Sequence, residues 1–177
     1  MISFLSEENL SMHKEQLRLS ELRYSIIEDS IPILKNANIR DISRQKITRR
    51  DKMDAIILLG DVLAHRAYFS SFAREGGRDH PLARRFFGSA AALRNRMYEL
   101  ACANPPGFVS LSCHRGELVT DYAPRGAELY LSADPILVID TWEHAYFYDY
   151  GFDRERYFAR ALSHLNFDKL DEIENIG

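Results

Sequence analysis

Cysteine is scarce in this chain: two of the 177 residues, Cys102 and Cys113, carry a thiol. They do not form a C-x-x-C pair, so neither a cysteine zinc site nor a disulfide framework is expected. Long apolar runs are also missing, since the longest, Ala55–Leu59, is far shorter than the ~20 residues of a membrane span. The N-terminal segment has acidic side chains where a signal peptide has basic ones. We therefore expect a cytoplasmic protein with no membrane partner.

Charge of one sign does not dominate the composition. The chain has 23 basic and 26 acidic residues and a net charge of −3, which excludes the strongly basic balance of many nucleic-acid-binding proteins. A Gly-rich phosphate loop and a serine–histidine–aspartate motif are missing from the sequence as well. The whole chain has 46% hydrophobic and 28% charged residues, a composition typical of a globular protein. We expect no nucleic-acid partner.

The first part of the chain, residues 1–75, has the pattern of an α-helical hairpin. Ser6 followed by two glutamates is typical of a helix N-terminus, and apolar residues then recur at helical spacing. The segment Ile31–Ile42 contains a proline and interrupts this pattern. A second helix is predicted from Met53 to Phe72. Two long helices joined in this way predict an N-terminal helical hairpin domain.

A glycine-containing linker, Glu75–Pro81, separates this part from residues 82–177, which differ in character. The patterns after it predict, in order, a helix at 82–103 with a break at 87–89, strands at 108–114, 118–122 and 137–140, a loop at 124–128 and a helix at 154–165. The short strands and the turn at Arg115-Gly116 predict a small three-stranded antiparallel sheet flanked by helices. The expected fold class of the whole chain is α+β.

A carboxylate and an imidazole lie close together where the last predicted strand ends. Asp140 closes an apolar strand, and His144 follows four residues later. Because both side chains leave the same end of the strand, they can converge on one cation. This combination of donors suits iron, manganese or zinc. The spacing is short and common, so the pair alone leaves the metal open.

The residues around this pair resemble the iron/manganese superoxide dismutase family. The segment Asp140-Thr-Trp-Glu-His-Ala-Tyr146 is similar to the D-x-W-E-H-A-Y motif of that family. Glu8–His13 and His65–Phe69 are similar to the segments that carry its first two metal ligands, and Phe87-Gly88-Ser89 is similar to the F-G-S of its middle helix. The resemblance covers nearly the whole chain, in the family's order.

The resemblance implies a mononuclear site with one iron or manganese ion per chain. Carried over position by position, the metal ligands are His13, His65, Asp140 and His144. The implied reaction is the disproportionation of superoxide to dioxygen and hydrogen peroxide, in which the metal alternates between M(III) and M(II). Redox chemistry of this kind makes zinc the less suitable metal, and the choice between iron and manganese stays open.

Several positions around the implied ligands depart from the family pattern. Glu21 stands where the family has a tyrosine, and Asp61 and Arg125 stand at the positions that supply a glutamine in its iron and manganese members. An ionised Asp61 can only accept hydrogen bonds, whereas a glutamine amide donates one. We expect Glu21, Asp61 and Arg125 to act in catalysis, with a charge-assisted contact between Asp61 and Arg125.

The resemblance also implies a homodimer. In the family, the glutamate corresponding to Glu143 bonds the last histidine ligand of the other subunit, which is His144 here. Leu17 and Phe147 replace a histidine and a tyrosine that meet across the family's interface, so both members of that pair are apolar. We expect a homodimer through Glu143 and His144, with superoxide as the substrate.

Three alternatives to an efficient dismutase remain open. The altered positions permit a divergent iron- or manganese-binding protein with weak or no dismutase activity. Use of Glu21 or Asp61 as an added ligand would give a carboxylate-rich site for oxygen or peroxide chemistry. A structure in which the four implied ligands do not converge would indicate a relic without a metal. The number of converging ligands distinguishes these cases.

Overall fold

The order of helices and strands comes from a computed structural model, which describes residues 2–74 and 76–173. Along the chain lie α1 (Glu7–Ser30), α2 (Ile39–Arg44), α3 (Arg49–Ser70), α4 (Pro81–Phe87), α5 (Ala90–Ala103), β1 (Phe108–His114), β2 (Glu117–Ala123), α6 (Gly126–Ser132), β3 (Asp134–Asp140), α7 (Phe147–Tyr150) and α8 (Arg154–Ser163). Short 3-10 helices cover Pro32–Leu34, Glu143–Ala145 and Phe167–Glu172. None of the described helices is long and apolar enough to cross a membrane.

Helix α1 buries polar side chains where most surface helices bury apolar ones. The Ser6 hydroxyl caps its N-terminus by accepting from the backbone N–H of Asn9 at 3.1 Å. The buried side-chain amide of Asn9 donates to the carbonyl of Ala145 at 2.6 Å. His13 follows one turn later and is fully buried. The buried side of α1 is therefore tied to the turn that follows β3.

The segment between α1 and α3 contains more regular structure than the sequence predicts. Helix α2 begins inside the expected break, and its Ile39 and Ile42 are buried in a small cluster with apolar residues of α3. Helix α3 begins at Arg49 rather than at Met53, because the hydroxyl of Thr48 caps it by accepting from a backbone N–H at 3.1 Å.

The three strands form one antiparallel sheet in the order β2-β1-β3, which confirms the predicted α+β fold class. Phe108 at the start of β1 lies opposite Ala123 of β2 and Asp140 of β3. Since residues directly opposite each other share a face of the sheet, the side chains of Phe108 and Asp140 project to the same side. Helix α3 packs against β3. The register thus places the end of β3 beside the N-terminal helices.

The loop predicted at 124–128 is wrong from its third residue on, because helix α6 begins at Gly126. Its start packs directly on α3: a Cβ at Gly126 would overlap the carbonyl oxygen of Gly60 and lie 2.8 Å from the Cβ of Ala64. Only glycine permits so close an approach of two backbones. The helix is therefore stabilised by a tertiary contact that local sequence patterns do not reveal.

One hydrophobic core joins the N-terminal helices to the sheet. Tyr68 of α3, Phe108 of β1 and Tyr157 of α8 are all buried in it. Because both parts of the chain contribute side chains to the same core, they pack as neighbours. The division into domains at 1–75 and 82–177 stays a prediction from the sequence.

Candidate metal centre

Four separate elements each bring one donor side chain to a common point. His13 comes from α1, His65 from α3, Asp140 from the end of β3, and His144 from the 3-10 helix that follows β3. One ligand atom from each residue lies within 4.8 Å of all the others. The structure therefore brings together the four side chains that the family resemblance implies as metal ligands.

Asp140 lies at the centre of this group. Its Oδ2 is 3.0 Å from Nε2 of His144, 3.1 Å from Nε2 of His13 and 3.6 Å from Nε2 of His65. The Nε2 atoms of His65 and His144 are 3.2 Å apart. The His144 side chain is 31% exposed, whereas the other three are almost entirely buried. The group is thus closed on most sides and open at His144.

Neighbouring backbone groups orient two of the four side chains. Nδ1 of His65 donates to the carbonyl of Asp61 at 2.7 Å, one turn earlier on α3, and this tautomer leaves the lone pair of Nε2 free. The backbone N–H of Trp142 donates to Oδ1 of Asp140 at 2.9 Å, so that Oδ2 faces the histidines. Both contacts position a ligand atom for binding a metal.

His13 is held by aromatic rings. Its ring centre lies 4.5 Å from that of Tyr68 and 4.9 Å from that of Phe69. Its Nδ1 is buried without a hydrogen-bond partner in the described parts of the chain. A buried ring whose Nδ1 has no partner is more easily kept neutral than charged, which suits a metal ligand.

Burial and the mutual charges of the cluster shift the protonation of its members. Burial is the largest effect on the Asp140 carboxyl and opposes ionisation, yet His144 and His13 together outweigh it and hold its pKa well below the ordinary value. Burial lowers the pKa of His13. Burial also acts to lower the pKa of His144, but the Asp140 carboxylate outweighs it and raises this pKa. An ionised Asp140 and a neutral His13 are the forms that bind a metal ion.

The donor set fits a single iron or manganese ion. Three imidazole nitrogens and one carboxylate oxygen are donors that both metals accept. Bonds from a divalent first-row ion such as zinc to nitrogen and oxygen are about 2.0–2.2 Å long, and ligands bound to one ion at this length lie at most ~4.4 Å apart, close to the separation observed here. No further carboxylate joins this group among the described residues. The carboxylate-rich alternative therefore has no support there, and the four ligands do converge.

A cavity of about 360 Å³ opens beside the cluster. It is lined by Gln16, Ile57, Asp61, His65, Phe108, Pro124, Arg125, Trp142 and His144. Because two of the candidate ligands, His65 and His144, face this cavity, a small molecule inside it reaches the side of the cluster that the protein leaves open.

The structure brings Asp61 and Arg125, two of the three predicted catalytic residues, to this cavity. Burial raises the pKa of the Asp61 carboxyl, and the nearby charges of His65 and Arg125 oppose that rise. No hydrogen bond or ion pair joins Asp61 to Arg125 within the described part of the chain. Asp61 and Arg125 therefore lack the direct contact expected from the sequence, and their opposite charges attract each other over a longer distance.

Glu21, the third predicted catalytic residue, is paired with an arginine of α3, and its catalytic role stays a prediction. Its Oε1 accepts from Nη2 of Arg66 at 2.7 Å and from Nε at 3.0 Å, in a pair that is largely exposed. Glu21 does not belong to the described lining of the cavity. It lies two turns beyond His13 on α1, and the pair with Arg66 holds it against the outer surface of α3.

Gln16 is a cavity residue that the sequence analysis missed. It follows His13 by three residues on α1, and residues at this spacing are neighbours on a helix surface. The sequence feature that could have identified Gln16 is this three-residue spacing from a predicted ligand. Gln16 places an uncharged amide, which can donate hydrogen bonds, in the cavity that also holds the carboxylate of Asp61.

Comparison with known proteins agrees with this geometry. Residues 80–173, more than half of the chain, match the family model described as iron/manganese superoxide dismutases, C-terminal domain. The chain is 26% identical over 125 residues to superoxide dismutase (Fe) of Cupriavidus metallidurans, a match that covers 67% of this chain and 64% of the relative. It is 36% identical over 69 residues to superoxide dismutase (Mn) of Rhizobium meliloti, covering 38% of this chain and 34% of the relative.

Both curated relatives match this chain over only part of their own length. The chain spans 64% and 34% of the lengths of the two curated relatives, one named for iron and the other for manganese. The family model matches the part of the chain that contains the sheet, Asp140 and His144. The resemblance recognised in Asp140–Tyr146 is thereby confirmed, and the chain belongs to the iron/manganese superoxide dismutase family.

Proposed function

We propose that this protein is a superoxide dismutase-like oxidoreductase that uses one iron or manganese ion per chain. The observation that carries the proposal is the convergence of His13, His65, Asp140 and His144 in a member of this family. A bound iron or manganese ion supplies one-electron redox chemistry, through which two superoxide ions and two protons become dioxygen and hydrogen peroxide. The four residues hold that ion, with Asp140 contributing the negative charge.

The residues of the cavity have separate roles in this proposal. Arg125 is exposed at the cavity, so its positive charge attracts the superoxide anion. Phe108 and Trp142 limit access of bulk water to the open side of the cluster. The amide of Gln16 and the carboxyl of Asp61 are the polar groups available to hold water and protons near the substrate.

A divergent metal-binding protein with weak or no dismutase activity is the second candidate. Two observations favour it: Asp61 places a carboxylate at the cavity, which repels an anionic substrate, and Glu21 is tied to Arg66 on the outside. In this case the four ligands still bind iron or manganese, but the surrounding residues do not support rapid turnover.

Metal analysis and a dismutase assay on the same preparations distinguish the two candidates. The protein is expressed once in iron-rich and once in manganese-rich medium. Stoichiometric metal together with activity that follows one metal supports the dismutase and identifies its cofactor. Stoichiometric metal with little activity from either preparation supports the second candidate. Protein without bound metal from both media contradicts both candidates.

We also propose that the protein forms a homodimer through Glu143 and His144. Glu143 is exposed next to the half-open ligand His144, and apolar surface of Trp142 and Phe147 lies exposed around them. Exposed apolar area of this kind favours association. The dimer predicts that Glu143→Ala weakens self-association in analytical ultracentrifugation, whereas Glu117→Ala on the β1–β2 hairpin leaves it unchanged. Equal association of both variants contradicts it. The cytoplasmic location stays a prediction from the sequence.

A further inference from the structure

A second cavity, of about 550 Å³, lies between the β1–β2 hairpin and α6. Its lining comprises Ser110, Ser112, His114, Val119, Thr120, Asp121, Tyr122, Ala123, Glu128, Leu129, Ser132 and Ala133. It shares no lining residue with the cavity at the metal centre. A ligand here is therefore separate from the proposed dismutase site.

The floor of this cavity is polar although it belongs to the central strand of the sheet. Ser110 and Ser112 of β1 are 1% and 3% exposed, and central strands buried on both faces are usually apolar. Their hydroxyl oxygens are 3.2 Å apart. A single hydrogen bond between two hydroxyls uses one of their two hydrogens, so the pair keeps a second O–H group that can donate to a ligand. Such a donor requires a polar partner.

The mouth of the cavity is acidic. Asp121 lies directly opposite Ser110 on β2, and Glu128 comes from α6. Oδ1 of Asp121 accepts from the backbone N–H of Tyr122 at 2.8 Å, which leaves Oδ2 available. Lysine and arginine do not occur in the described lining, and neither carboxylate is paired with a cation there. The mouth therefore attracts positive charge.

We propose that this cavity binds a small amino alcohol, with its ammonium group at Asp121 and Glu128 and its hydroxyl group at Ser110 and Ser112. A hydroxyl group both accepts from the second serine O–H and donates to a serine oxygen, which a second ammonium group does not do. Residues directly opposite on two strands have Cβ atoms about 5 Å apart, so a chain of three or four carbons joins the two ends.

A bare metal ion fits this cavity less well. His114, Asp121 and Glu128 offer ligand atoms of a suitable type, but these atoms do not form a converging group in the described part of the chain. Within the described residues, the group that could hold a metal ion consists of His13, His65, Asp140 and His144. The second cavity therefore lacks the converging ligands that a small cation needs, and its volume suits an organic molecule.

Three matched probes test the proposal by titration followed with amide NMR shifts in β1, β2 and α6. 3-Amino-1-propanol carries both groups, n-propylammonium lacks the hydroxyl, and 1-propanol lacks the charge. We expect 3-amino-1-propanol to bind about tenfold more tightly than either, the effect of one lost hydrogen bond to a buried or charged group. Equal binding of n-propylammonium, or no shifts with any probe, overturns the proposal.

Two variants distinguish binding inside the cavity from nonspecific binding to surface charge. Ser112→Ala keeps the net charge, and we expect it to weaken binding of 3-amino-1-propanol about tenfold. The control Ser163→Ala, at an exposed serine of α8, leaves binding unchanged. Unchanged metal content of Ser112→Ala shows that the fold is retained. Binding that is insensitive to Ser112→Ala overturns the proposal.

Discussion

The hydroxyl of Tyr157 donates to the backbone carbonyl of Asp140 at 2.8 Å and lies 3.2 Å from the hydroxyl of Tyr68. All three groups are buried. The contact joins helix α8 to the strand end that carries a metal ligand, and Tyr68 in turn packs on the ring of His13. The position of two ligands thus depends on one pair of tyrosines.

Tyr157→Phe is expected to lower the free energy of unfolding by about 1–3 kcal/mol, because the hydroxyl of Tyr68 and the carbonyl of Asp140 lose a buried partner. Urea denaturation measures this loss. Tyr148→Phe removes a hydroxyl from a side chain that is 63% exposed and is the control, with an expected change near zero. Equal stability of the two variants would show that the buried contact contributes nothing.

His65→Ala is expected to abolish stoichiometric binding of iron and manganese, because one of four ligand atoms is removed from the cluster. Metal analysis of the purified variant measures the effect. The thermal stabilisation that metal gives the unchanged protein should also disappear, since binding to the folded state is what raises the melting temperature. His114→Ala, at an exposed position of β1, is the matched control. Full metal content in His65→Ala would refute the ligand assignment.

Asp61→Asn is expected to raise the reduction potential of the bound metal. Removing a partly buried negative charge beside His65 and His144 disfavours the more positive M(III) state. Redox titration of the metal-loaded protein measures the shift. Glu21→Gln, which breaks the exposed pair with Arg66, should leave the potential unchanged and cost about 0–1 kcal/mol of stability. A larger shift from Glu21→Gln than from Asp61→Asn would contradict this expectation and would support the predicted catalytic role of Glu21.

Asp79 makes part of the stability depend on pH. Oδ2 pairs with Arg84 at 2.6 Å and Oδ1 accepts from the backbone N–H of Ala90 at 2.9 Å, and these contacts, the arginine first, lower the pKa of the Asp79 carboxyl. A lowered folded-state pKa stabilises the protein above the ordinary value of 3.8, and the stabilisation is lost as pH falls through the folded-state pKa.

Asp79→Asn should therefore lower the melting temperature at pH 7, with a difference from the unchanged protein that closes as the pH falls below 3.8. Thermal unfolding followed by circular dichroism across this range measures it. Asp29→Asn, at an exposed position near the end of α1, shows the effect of removing a surface carboxylate alone. A difference that stays constant at all pH values would contradict the assignment.

Much of the fold could be predicted from the sequence because its signals are local. Strand β1 alternates, β3 ends in a short apolar run, and α1 begins at a capping serine, so these elements lie within a few residues of their predicted positions. Helix α6 was missed because its formation depends on the contact of Gly126 with Gly60, far away in the sequence. A proline and a glycine at its start are locally typical of a loop.

The candidate site divides in the same way. Asp140 and His144 belong to one short motif, and His13 and His65 could be placed through the resemblance. The other residues around the site could not be predicted in this way, because the side chains that face the cavity depend on the rotation of each helix about its axis. Gln16 faces the cavity and Glu21 does not, although both follow His13 on α1. A position carried over from a family does not include the direction in which a neighbouring side chain points.

The contact between Gly60 and Gly126 has a consequence for the electrostatics of the cavity. Asp61 directly follows the first glycine and Arg125 directly precedes the second, so two touching backbones set the separation of the opposite charges at the cavity. A substitution that pushes α3 from α6 would change the electric field at the cavity without replacing either charged residue. The distance between the two charges is therefore set by the two glycines as well as by the charged residues themselves.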